Sequence, residues 1–487
     1  MATLKIHPEE KHEISPYLYM QFMEPLGVCD TSVDAAWDFT EEKWYDKVVE
    51  KTKELAPTMI RFGGCFASYY HWQEAVGPQK SRIPMKNHCW GGMYYNQVGT
   101  HEVVDLCRKV GAEPLLVANM ESEGQDFWQY PKNDTCRKGT EEEAAAWVDY
   151  CNNPDNALRI SHGVKDPYNV KYWQIGNETS YSVRNQIGFT SDQCQDATRR
   201  FAAKMKAADP SIRLIAWGDE TRHWGKPDLK DDSWCKKMSQ LEDVDLIAFH
   251  HHFDSGLPDS PLAGINYRKD FDNTWAHFMN AHKSMEDVIA KLRRDCGSKK
   301  LAMTECHFSF AGKNRGLSLS TWAAGVAYAR CHNVIMRNSD VLEIATMADF
   351  CGNVWQSNAL MIPTPIACGD PYLMPVGSVM ALFGRHQGKY ALNLPKMAGN
   401  LDVVGSRTGN TLFLHIANTD MHNSQQLTLD TNGRNILSGE MEYIDAPADA
   451  EIDILTGDLF ATKKTTFTGN EITIPAAGVA AIRITLD

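Results

Sequence analysis

The chain has 487 residues, 43% of them hydrophobic and 23% charged, the balance of a soluble globular protein too long for one ordinary domain. Its net charge of −13, with no Lys/Arg-rich run to offset it, excludes nucleic acid and anionic membranes as principal partners. The 13 cysteines are scattered and form no Cys-x-x-Cys pair, the N-terminus has no signal-peptide core, and no apolar window reaches the ~18 residues of a membrane span, so a reduced, cytoplasmic protein is expected.

Residues 1–16 hold a lone strand in polar surroundings, which must pair with something distant. The apolar run 17–22 ends at Glu24-Pro25. A helical period covers 41–55, through Trp44, Val48, Val49 and Leu55, and a strand at 58–62 closes on Gly63-Gly64. Helix 100–110 stops at Gly111, and a strand follows at 113–119. Helix 141–151 precedes the strand 172–175, which ends at Gly176 and leads at once into Asn177-Glu178. The alternation continues with helix 191–208, strand 212–217, strand 244–249, a long helix 271–292, strand 301–304, helix 319–337 and strand 343–348. About eight strand–helix alternations between 17 and 387 predict a (β/α)₈ TIM barrel, although periodicity alone leaves a doubly wound sheet open. From 388 to 487 the texture changes to short alternating runs separated by turn pairs such as Gly409-Asn410. This predicts a β-sandwich of about 100 residues, which the N-terminal strand is expected to join.

Two carboxylates stand in matching settings, Glu178 after one barrel strand and Glu305 after another. A retaining glycosidase needs such a pair ~5 Å apart, one as acid and then base, the other as nucleophile. Glu178 suits the acid, because burial beside an amide raises its pKa; Glu305 suits the nucleophile if a cation keeps it ionised, and Arg61 is the candidate cation. In His250-His251-His252 the first and third share a face and the second points elsewhere. A zinc site would need a third ligand such as His307 or Asp219, but the spacing does not support one, and neither metal nor cofactor is expected. Trp72, Trp90 and Trp355 fall near rim segments and could stack on sugar faces, or simply pack in the core.

With these residues in view, the chain resembles glycoside hydrolase family 51, the α-L-arabinofuranosidases. The similarity runs through Ile14-Ser15-Pro16-Tyr17-Leu18-Tyr19, Phe22-Met23-Glu24, Arg61-Phe62-Gly63-Gly64 and Trp72-Gln73-Glu74-Ala75-Val76-Gly77-Pro78. It continues through Asn96-Gln97-Val98-Gly99-Thr100, Val110-Gly111-Ala112-Glu113-Pro114, Asp209-Pro210-Ser211-Ile212 and Arg385-His386-Gln387-Gly388. The resemblance implies Glu178 as acid/base, Glu305 as nucleophile, and Asn177 on the sugar's 2-hydroxyl. It also implies Glu24 and Gln356 in the glycone subsite, and His250 as the family's rim histidine. Related enzymes are trimers or hexamers, so a homo-oligomer acting on oligosaccharides is the implied expectation. Three positions depart from the family pattern: Cys65 stands where Asn is usual, His252 where Tyr is usual, and Cys306-His307 where Trp-Asn is usual. All lie around the glycone. The expectation is therefore an exo-acting retaining hydrolase of a terminal furanose. A β-D-galactofuranosidase, an endo-acting glucanase or xylanase, and a non-catalytic carbohydrate-binding relative are the alternatives.

Overall fold

The computed structural model describes residues 2–7, 9–124, 137–183, 186–219, 234–254, 259–309 and 316–487. Eight strands form its centre: β1 (Met20–Met23), β2 (Met59–Phe62), β3 (Glu113–Ala118), β4 (Tyr172–Ile175), β5 (Arg213–Trp217), β6 (Leu246–Phe253), β7 (Lys300–Phe308) and β8 (Leu342–Ala345). Neighbours pair in parallel in chain order, from β1 on β2 through to β7 on β8. A parallel bridge between Tyr17 and Ile344, with the Ala345 N–H donating to the Tyr17 carbonyl at 3.0 Å, joins the last strand to the entry of the first. That bridge closes the sheet into a barrel, which a doubly wound sheet never does. The strand residues are almost all buried because barrel side chains fill one face and helices cover the other.

The helices differ from expectation in two places. The period predicted over 41–55 becomes a helix only at Asp46–Leu55; its first residues instead form a small hairpin, Trp37–Asp38 against Lys43–Trp44, pinned by edge-to-face packing of the two tryptophans. The long helix expected over 271–292 is two, Phe271–Asn280 and His282–Asp295, separated at Ala281. Among the described residues no helix is long and apolar enough to cross a membrane.

The C-terminal sandwich packs a seven-stranded sheet against a three-stranded one. Ala2–Lys5 adds in parallel to Gln425–Asp430 in the small sheet, and Glu10–Glu13 pairs with Tyr390–Leu392 in the large one. Leu4, Ile6, Leu412, Leu414, Ile482 and Ile484 form its core. Sandwich and barrel meet along the helix Trp322–Arg337. The Trp322 and Ala323 N–H groups donate to the Ala450 and Ala448 carbonyls, and the Trp322 indole donates to the Ala477 carbonyl at 2.7 Å.

Candidate active site

The polar side chains singled out above converge at the C-terminal ends of the barrel strands. Glu24 follows β1 directly, Arg61 lies in β2, and Asn177 and Glu178 follow β4 after Gly176. The histidine triple and Glu305 were expected just past their strands. Instead β6 runs on to Phe253 and β7 to Phe308, so His250, His252 and Glu305 are strand residues. The apolar pattern stops short because these side chains face the polar interior of the rim.

A break in register aims them. Phe249 pairs with Met303 but His250 pairs with Glu305, which leaves Thr304 as an extra residue on β7. A bulge interrupts the alternation of side chains, so Thr304 and Glu305 both reach the same histidine. His250 Nε2 is 3.0 Å from Thr304 Oγ1, and its Nδ1 is 3.5 Å from Glu305 Oε2. The same Nδ1 is 2.8 Å from Glu178 Oε1, and the Trp217 indole packs edge-on against the ring at 4.6 Å. His252 shares this face, with Nε2 3.9 Å from Glu305 Oε2. His251 points outward to Ser284 Oγ at 3.0 Å, and burial lowers its pKa to about 4, so it stays neutral.

Arg61 is 0% exposed. Its guanidinium donates to Glu305 Oε1 at 2.8 Å, to Asn177 Oδ1 at 2.7 Å and to Gln174 Oε1 at 3.0 Å. One planar fork thus ties β2, β4 and β7 together and sets the Asn177 amide with its oxygen toward the cation. Opposite it, Glu24 Oε2 accepts the Phe66 N–H at 3.3 Å. Gly64 (φ +153°) lies so close to this carboxyl group that a Cβ there would sit 2.3 Å from its carbon. Burial, then the charge of Glu305, raises the pKa of Glu24 to about 8.

The two central glutamates differ in their electrostatics. Burial pushes Glu178 well above the usual carboxylate range, and the charges of Glu305 and Glu24 push it the same way. Burial also raises Glu305, but Arg61 opposes this through its charge and its hydrogen bond. The net result is a Glu305 raised above the ordinary carboxylate value and a Glu178 raised well above it, so Glu178 is the weaker acid of the two. An oxygen of each, together with a nitrogen of His252, lies within 4.8 Å of the others. Such a trio could hold a cation in principle, yet the Arg61 guanidinium already on Glu305 opposes a second positive charge, and a carboxylic acid facing a carboxylate describes the arrangement better.

Cys65 Sγ is 3.9 Å from Glu178 Oε2, so this departure from the family pattern touches the acid itself. His307 lies tilted at 45° against His252 with centroids 4.6 Å apart, and electrostatically it lowers both Glu305 and the buried Asp349. Gln356 is not joined to either glutamate among the described residues; its amide donates within its own loop, to the Val354 carbonyl at 3.4 Å. Trp90 and Trp355 meet edge-to-face at 5.5 Å, half-buried. Trp72 is not a sugar platform: it is 3% exposed, stacks on Trp147, and donates its indole N–H to the Glu143 carbonyl. Gln174 and Thr304 escaped the sequence reading, although a polar side chain inside an apolar strand run was a usable signal for both. Asp219, weighed above only as a third zinc ligand, accepts from the His250 N–H at 3.4 Å and the Tyr181 hydroxyl at 3.3 Å.

Residues 51–255 match the family model described as the alpha-L-arabinofuranosidase 1 domain. The alpha-L-arabinofuranosidase C of Emericella nidulans is 35% identical over 228 residues, 45% of this chain and 42% of that protein. The intracellular exo-alpha-(1->5)-L-arabinofuranosidase of Halalkalibacterium halodurans is 30% identical over 322 residues, 64% of this chain and 59% of that one. The matched region thus spans about half the length of these curated relatives. The crystal structure of the Thermotoga maritima alpha-L-arabinofuranosidase in its arabinose complex superposes with a TM-score of 0.80 at 21% identity, covering 100% of both chains. The chain therefore has the barrel-plus-sandwich fold of the solved arabinofuranosidases. The family model, the curated relatives and the solved structure alike bear α-L-arabinofuranosidase names, and it is to these proteins that the chain is similar.

Proposed function

We propose that the protein is a retaining, exo-acting glycoside hydrolase that removes a non-reducing terminal furanose of the α-L-arabinofuranoside type from oligosaccharides. The observation that carries this reading is the approach of the Glu178 and Glu305 carboxyl groups to within 4.8 Å, the spacing of double displacement rather than the ~6.5–9.5 Å of inversion. Glu305, held ionised by Arg61, attacks the anomeric carbon. Glu178, held protonated by burial and oriented by His250, delivers its proton to the departing oxygen. The covalent glycosyl-enzyme is then opened by a water that Glu178 deprotonates. Asn177, Glu24, His252 and Gln356 complete the glycone subsite in this reading, with Cys65 beside the acid. The barrel, 17–387, carries the chemistry, while 388–487 with strand 1–16 supports it. A cytoplasmic location and a homo-oligomer, trimer or hexamer, belong to the same proposal; the intracellular names of the bacterial relatives support the location.

Hydrolysis of a nitrophenyl glycoside panel tests the reading: α-L-arabinofuranoside, β-D-galactofuranoside, β-D-xyloside and β-D-glucoside. A preference for one furanoside that Glu305→Ala abolishes is the expected result. Glu178→Ala should keep kcat/KM on activated aryl leaving groups, with kcat falling because deglycosylation loses its base, and should lose about 10²–10⁴-fold in kcat/KM on saccharide leaving groups, which need the acid. The contact of Cys65 with Glu178 favours a second glycone, β-D-galactofuranose, because a thiol leaves more room than an asparagine amide; faster turnover of the galactofuranoside would select it. No turnover on any furanoside would sink the exo-furanosidase reading and favour endo action.

A further inference from the structure

Glu123 stands just after β3 and is 1% exposed. It belongs to a run of three residues, Glu121, Ser122 and Glu123, whose φ values of +52°, +53° and +53° all lie in the left-handed region. Side chains disfavour that region, so three in succession persist only where surrounding contacts demand it. The contacts are specific. Asn119 Oδ1 accepts the Ser122 N–H at 3.0 Å, and the Met120 carbonyl accepts the Glu123 N–H at 2.9 Å. Together they turn the Glu123 side chain inward, where Oε1 accepts the Asn177 N–H at 3.2 Å and the Ser68 hydroxyl lies alongside.

The receiving turn is itself strained. Gly176 has φ +73° and Glu178 has φ +52°, and Asn177 lies between them. A peptide N–H at the centre of a buried left-handed turn has no place in the strand ladder, and without a partner it would cost about 1–3 kcal/mol. Glu123 supplies that partner. Its other oxygen, Oε2, is buried with no hydrogen-bond partner among the described residues. A carboxyl group kept so incompletely satisfied lowers stability, and such a group is retained where its position serves something other than stability.

On the reading of Glu178 as acid/base, we propose that Glu123 is a positioning residue. It braces the Gly176–Asn177–Glu178 turn against the rim segments that follow β2 and β3, and so fixes the angle from which Glu178 meets the leaving oxygen. It touches neither the substrate nor the reacting atoms in this role.

The test compares Glu123→Ala and Glu123→Gln with the wild type on two substrates of one glycone, a dinitrophenyl furanoside and a furanosyl oligosaccharide. Hydrogen–deuterium exchange is followed in the peptide spanning 172–180. Glu123→Ala should lower kcat/KM at least about tenfold on the oligosaccharide and less than about threefold on the dinitrophenyl substrate, since kcat/KM reports the glycosylation step and only the oligosaccharide needs an aligned acid there. Its turn peptide should lose protection, and Glu123→Gln, whose amide oxygen still accepts the Asn177 N–H, should restore both. Equal losses on the two substrates, or no loss, would overturn the proposal. So would unchanged exchange in Glu123→Ala, and that readout holds even if the wild type cleaves neither substrate, in which case the furanosidase reading fails separately.

Discussion

Arg61 supplies the cation against Glu305 at the centre of the site. It is wholly buried, and its fork meets Glu305, Asn177 and Gln174 at once. Replacing it by methionine leaves Glu305 buried beside Glu24 and Glu178 with its cation gone, at a cost of about 3–5 kcal/mol for a broken buried pair. The sign of the pH effect follows. Arg61 holds the Glu305 pKa down against burial, so its loss raises that pKa, and the acid limb of kcat/KM should move to higher pH. An unshifted acid limb in Arg61→Met would mean that another group keeps Glu305 ionised. Lysine is not an equivalent, since one ammonium cannot satisfy three acceptors spread over β2, β4 and β7 in the geometry of a planar fork.

At the scale of elements, the site depends on short irregular segments held by buried carboxylates. The loop 353–358 that carries Trp355 and Gln356 wraps around Asp30. The Asn353, Val354 and Trp355 N–H groups donate to its oxygens at 2.8, 3.2 and 3.0 Å, and the Asn358 amide donates at 2.8 Å. Asp30→Ala should release this loop, with about 1–3 kcal/mol of stability lost. Steady-state kinetics on an oligosaccharide should show KM rising several-fold while kcat changes little, because Trp355 and Gln356 transfer no proton in the proposed scheme. A fall in kcat with KM unchanged would place the loop in the chemical step instead. The bulge at Thr304 works the same way on β7, where one additional residue brings His250, Thr304 and Glu305 onto a single face.

At the scale of the whole molecule, Asp402 of the sandwich fastens the barrel helix Trp322–Arg337. Arg330 and Arg337 pair with its carboxylate, and the Asn333 amide donates to it at 3.2 Å. Burial alone would raise its pKa; Arg337 and Arg330 outweigh burial and hold it below the usual range. A depressed carboxylate adds stability above its unfolded pKa of about 3.9, and that stability is lost as pH falls through the folded value. Asp402→Ala should therefore unfold about 1–3 kcal/mol more easily at neutral pH, with the gap to wild type closing toward pH 3 in denaturant titrations. A gap that persists unchanged in acid would assign the loss to packing alone. Exhaustive chelation should leave hydrolysis unchanged, because Arg61 already balances Glu305; lost activity restored by a divalent cation would contradict this.

What the sequence determined by itself was whatever rests on local pattern. The strand–helix alternation, the change of texture near 388, Glu178 just past its strand and the opposed faces of His250 and His251 all follow from periodicity and turn chemistry. The family departures at Cys65, His252 and His307 were equally legible, since each is a single residue read in place. Tertiary structure alone decided the rest, because it depends on contacts between residues more than fifty positions apart. The Tyr17–Ile344 bridge closes the barrel across the chain, and Arg61 on β2 reaches Asn177 after β4 and Glu305 on β7. Trp72 became core rather than platform when Trp147 covered its face. Glu123 lies in a segment with no periodicity, and its side chain found the Asn177 N–H only because two neighbouring barrel strands set their loops side by side.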